Sequence, residues 1–175
     1  MTSRFFRNAA FYGFAALVLA GAPVVGGRLA PAQAQQTPAP IAARPGWVVK
    51  PTSLDFATLT ARLEAAIKAN KMGLVTSASA SAGAKAQGIE IAGNQVFGVY
   101  RNDFARRMLA ASIPAGIEAP IRFYVTEGAD RKATLSYKTP GSVFAPYFEG
   151  AGPELRTLAA ELDVIFARIA DDATK

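Results

Sequence analysis

The chain has 175 residues, 51% of them apolar and 10% aromatic, with a formal net charge of +6. That is a globular composition, far from the low-hydrophobicity, high-charge chains that stay disordered. There is no cysteine and no histidine, which excludes disulfides, thiolate nucleophiles, imidazole bases and haem or zinc held through those side chains.

Residues 1–8 carry Arg4 and Arg7 and no acid, an uncharged run spans Ala9 to Gly27, and Ala32-Gln33-Ala34 has the form of a signal-peptidase site. Residues 1–34 therefore read as a cleavable signal peptide. Gly13, Gly21, Pro23, Gly26 and Gly27 weaken the alternative of a spanning helix, and no cysteine follows for lipid attachment. The expected product is periplasmic or secreted, without a stable membrane span. Cleavage removes Arg4, Arg7 and Arg28 and no acid, leaving a mildly basic chain. Its cations are scattered instead of forming a stripe with interleaved aromatics, so nucleic acid is not an expected partner.

Residues 35–46 hold three prolines and little to bury, and read as a flexible linker. A single domain is expected over 47–170, followed by a frayed tail at 171–175. Trp47 to Lys50 reads as a short strand halted by Pro51. Phe56, Leu59, Leu63 and Ile67 fall at helical spacing, with Ser53 or Asp55 to cap them and Gly73 beyond the end. Leu74 to Ser77 reads as a strand, Ser79 to Gln87 as a turn or two of helix stopped by Gly88, and Ile89 to Ile91 and Gln95 to Tyr100 as further strands. A short helix is expected over Phe104 to Ala111 with Asp103 as its cap.

Ile121, Phe123 and Val125 alternate with polar neighbours, Gly128-Ala129-Asp130 turns the chain, and Ala133, Leu135 and Tyr137 alternate again. This is a hairpin with one buried face. Pro153 opens a last helix whose apolar stripe is Leu155, Leu158, Leu162, Ile165 or Phe166, and Ile169. Two amphipathic helices and one half-buried sheet predict an α+β two-layer sandwich, a mainly antiparallel sheet with helices on one face.

The order of elements, with Ala119-Pro120 before a strand and Leu135-Ser136-Tyr137-Lys138-Thr139-Pro140 after it, resembles the family of domains of unknown function numbered 302. Asn102, Pro120, Tyr137 and Pro140 match its pattern, whereas Arg101 and Asp103 replace the glycine and proline of its turn, and Arg106-Arg107-Met108 stands where members often have Gly-Thr-Pro. The resemblance covers about residues 47 to 170. It implies a small α/β domain that often dimerises and has no assigned reaction.

Three acid pairs, Glu149 with Glu154, Glu161 with Asp163 and Asp171 with Asp172, read as solvated surface. Ser77, Ser79, Ser81 and Ser112 have no histidine to activate them, and a dyad with Lys85 is only a formal option. Arg101 with Arg106 or Arg107 beside a helix N-terminus could hold an anion, unless Asp103 fills that end. No catalytic residue, metal ligand or cofactor is assigned. The expected ligand site lies where Tyr100, Arg101 and Asn102 face Tyr137 and Lys138 beneath the aromatic loop from Phe144 to Phe148. Tyr137 as a core residue and Asn102 as a turn residue are the competing assignments. A dimer contact is expected on the outer sheet face, at Arg122, Tyr124, Thr126, Thr134 and Ser136.

The leading functional expectation is an exported non-enzymatic binding or interaction module, a homodimer with a small-molecule ligand. Beside it stand a small-substrate enzyme using carboxylate, Lys or Tyr chemistry, and a structural partner of an envelope complex.

Overall fold

The computed structural model describes residues 41–175; the expected signal peptide over 1–34 and the start of the expected linker lie outside the described residues. The strands are β1 (Trp47–Pro51), β2 (Gly73–Ala78), β3 (Asn94–Tyr100), β4 (Ile121–Glu127) and β5 (Ala133–Lys138), all antiparallel in the order β1-β5-β4-β3-β2. The helices are α1 (Phe56–Ala69), α2 (Ala80–Ala86), α3 (Asn102–Ala111), α4 (Pro140–Phe144) and α5 (Pro153–Thr174). The α+β sandwich is thus present, with α1 and α5 packed together against one sheet face.

The period of the apolar residues decides which side each strand buries. Phe97 on β3, Phe123 and Val125 on β4 and Leu135 on β5 are inaccessible and point to the helices. They meet Leu59, Leu63 and Ile67 of α1 and Leu155, Leu158, Phe166 and Ile169 of α5 in one core. Phe123 stacks on Phe166 at 4.6 Å between ring centroids. The Asp55 carboxylate accepts from the Thr58 N–H and so satisfies one donor at the start of α1. The hairpin between β4 and β5 closes through Gly128 N–H to the Lys132 carbonyl and Lys132 N–H to the Asp130 carboxylate.

Three expectations need correction. Ile89 to Ile91 is not a strand: it pairs with no strand of the sheet, its chain neighbour β3 having β2 on one side and β4 on the other, and both isoleucines are exposed. Helix α3 starts at Asn102 with Arg101 as its N-cap residue. Asp103 therefore lies inside the first turn, where it receives Arg101 Nε at 2.8 Å, and does not cap the helix. Residues 171–174 do not fray, because Ala173 is fully buried and Asp171 receives the Lys50 ammonium at 2.7 Å.

Candidate functional site

On the sheet face away from the helices, register brings together side chains that are distant in sequence. Trp47 on β1 pairs with Lys138 on β5, and one step beyond the Phe123–Tyr137 pair stands Arg122 of β4, next to Lys138. The adjacent row carries Val49, Ser136, Tyr124 and Val96. Except for Val49, these two rows line a trough of about 210 Å³ with Glu118, Ile121, Tyr137 and Val143. Ser136 forms part of its lining and is fully buried, walled in by its strand neighbours Val49 and Tyr124.

Charge in the trough is lopsided. Lys138 Nζ lies 5.7 Å from the Trp47 ring centroid, and Arg44 stands 4.9 Å from the same ring. Among the described residues, neither Arg122 nor Lys138 makes an ion pair. The one acid in the lining, Glu118, accepts the Tyr147 hydroxyl at 2.8 Å. Adjacent like charges on neighbouring strands repel. The trough is therefore a positively biased recess with aromatic and aliphatic walls.

The expected ligand site does not form as one pocket, because the sheet divides its members. Tyr100, Arg101 and Phe144 line a small apolar void of about 30 Å³ on the helix side, with Met72, Phe104 and Phe166. Such a void holds about one water and no larger ligand. Arg101 is spent on Asp103 and on the Phe104 ring, 4.3 Å from its guanidinium carbon. Asn102 is exposed and lines neither recess. Phe148 lies under Arg156, 4.4 Å from ring centroid to guanidinium carbon. Tyr137 packs against Phe123 and Phe166 at 5.0 and 5.9 Å, as a core residue would. Burial pushes its hydroxyl up to about 12, helped by the charges of Asp163 and Asp171. Only Tyr137 and Lys138 of the seven also line the trough.

Most of the candidate acids and serines are engaged structurally, Glu149 and Ser112 being the two that make no side-chain hydrogen bond among the described residues. Arg107 bridges Glu154 and Glu161 at 2.7 to 2.8 Å, and this pairing holds the Glu161 carboxyl below the usual range. Asp163 accepts the Gly141 N–H at 2.9 Å, and burial raises its carboxyl above the ordinary aspartate value. Asp172 accepts from Asn70 at 3.0 Å. Ser79 caps α2 and bonds Ser81 and the Asn94 carbonyl, while Ser77 accepts from Gln95. Chemically the trough presents two cations and apolar walls.

Sequence reasoning overlooked Trp47, Val96, Glu118 and Val143 as parts of a site. Trp47 and Val143 adjoin Lys138 only through the β1–β5 pairing and the return of the chain after β5, which no local pattern reveals. Arg122 and Tyr124 were visible as outward residues of an alternating strand, and that parity was the available signal.

A helix-covered antiparallel sheet with a positively charged recess on its bare face defines the class: a small two-layer α+β domain with its packed core on the helix side. The chain belongs to the DUF302 family, a domain of unknown function, whose model matches residues 48–173. It is also similar to the crystal structure of an uncharacterised conserved DUF302 protein from Bacillus stearothermophilus, with a TM-score of 0.65 and 17% identity over 74% of this chain and 99% of that one. At that identity the likeness speaks for the fold alone. No curated protein matches the chain.

Proposed function

We propose that this chain is an exported, non-enzymatic binding module that acts as a homodimer in the periplasm or outside the cell, and that the open-face trough is where it recognises its ligand. The observation that carries this reading is the pair of neighbouring cations, Arg122 and Lys138, set without a carboxylate partner into an apolar recess. Of the candidate acids, all but Glu149 are held instead by Arg107, Gly141, Lys50 and Asn70.

A two-fold contact centred on the trough would set those cations against their own copies. The dimer is better served by the exposed apolar residues Leu109, Ile113 and Ile117, the last two 77% and 81% accessible. Light scattering at high micromolar concentration is expected to give twice the chain mass, and a monomer there overturns the dimer. Intact-mass analysis of protein recovered from a Gram-negative periplasm is expected to begin at Gln35; a membrane-bound product starting at Met1 overturns export.

The binding reading is tested by native mass spectrometry of protein purified from its own compartment. A copurifying small molecule that is lost on Tyr124→Ala supports it. Turnover of a substrate, or a bare protein under every condition tried, overturns it.

A further inference from the structure

We infer that the trough takes a small monocarboxylate carrying a single ring, an inference that rests on the binding reading above and adds the ligand's chemistry to it. Size sets the first limit. A closed apolar cavity of ~150 Å³ accommodates a benzene ring, and the trough measures about 210 Å³. That leaves room for one ring and a short polar arm, and excludes a nucleotide or a peptide of several residues.

Wall chemistry sets the second. Val96 of β3, Tyr124 of β4 and Val143 beyond β5 present apolar surface around the recess, and Tyr124 adds an aromatic body to it. A flat hydrocarbon ring buries its faces there, whereas a free sugar would leave hydroxyls unpaired against the valines.

Charge sets the third. Arg122 and Lys138 stand side by side on neighbouring strands, a placement that costs free energy until an anion lies between them. Trp47 on β1 and Arg122 on β4 flank Lys138 on β5, and the indole attracts the Lys138 ammonium from the side away from Arg122, which leaves space for an anion between the two cations. A carboxylate reaching both cations gains charge-assisted hydrogen bonds, in the planar geometry that a guanidinium favours. Glu118, the one carboxylate in the lining, accepts the Tyr147 hydroxyl and sets one negative charge against the two cations. The lining therefore carries one surplus positive charge, which matches a monoanion better than a phosphate dianion.

The test is a calorimetric titration of the purified protein with four probes: benzoate, benzyl alcohol, acetate and inorganic phosphate. Benzoate is expected to bind about tenfold or more tightly than each of the others, since benzyl alcohol lacks the charge, acetate the ring and phosphate the apolar body. Binding should weaken with added salt and fall about tenfold in the R122Q/K138Q double variant. Both positions are exposed, so the variant keeps its circular dichroism and melting transition. Equal binding of benzoate and benzyl alcohol overturns the inference, as does undiminished benzoate binding in R122Q/K138Q. If benzoate fails while a copurifying molecule is still lost on Tyr124→Ala, the ligand class is overturned and the binding reading stands. If neither binds, both are overturned together.

Discussion

Lys50 and Asp171 lie 121 positions apart and meet at 2.7 Å, tying edge strand β1 to the last turn of α5. Pairs as exposed as this one contribute little alone. Its neighbour Ala173, however, is fully buried against the core, so the end of α5 is part of the packed layer.

Deleting residues 171–175 should therefore destabilise the domain. Loss of the buried Ala173 surface and of the helix end is expected to lower unfolding free energy by about 1 to 2 kcal/mol. Urea denaturation measures it, and an unchanged midpoint would show that the tail contributes nothing to the fold.

Asp163 gives a pH dependence of unusual sign for a carboxylate. Burial raises its native pKa above the ordinary value, with the Gly141 N–H pulling weakly the other way. The folded state then holds this proton longer than the unfolded chain does, and stability falls as pH rises from the ordinary aspartate value through the native one. Asp163→Asn keeps an oxygen to accept from Gly141 N–H and has no charge to desolvate. Urea midpoints near about pH 4 and about pH 7 should show the variant gaining on the wild type as pH rises. A constant difference would mean that Asp163 titrates as it does in the unfolded chain.

Glu161 behaves in the opposite way. The hydrogen bond from Arg107 depresses its native pKa, so its contribution is present above the ordinary glutamate value and is lost as pH falls through the native one. In Arg107→Gln that advantage disappears, and acid unfolding monitored by circular dichroism should begin at higher pH than in the wild type. Coincident acid transitions would show that the Arg107 bridge to Glu154 and Glu161 does not bear on stability.

Asn102 supplies a control for the location of the site. It is exposed at the first residue of α3 and lines neither the trough nor the inner void. Asn102→Ala should change stability by less than about 0.5 kcal/mol and leave any copurifying molecule in place. Loss of that molecule in Asn102→Ala would return the site to the end of β3.

Period and punctuation in the sequence determined the elements. Ile121, Phe123 and Val125 alternate because a strand turns successive side chains to opposite faces, and Leu155, Leu158, Leu162, Phe166 and Ile169 recur at helical spacing because one stripe of α5 meets the core. Those are local rules, readable without knowing any partner. The absence of histidine and cysteine was equally legible, and it bounded the chemistry. Strand order is not local: that Trp47 lies beside Lys138, that Lys138 lies beside Arg122, and that β3 takes β2 and β4 as its partners and not residues 89–91 follow only from which strands the whole chain brings together. Alternation alone turns the neighbours Tyr137 and Lys138 to opposite faces, but only the pairing of β4 and β1 with β5 decided that Phe123 lies beside the tyrosine and that Trp47 and Arg122 lie beside the lysine.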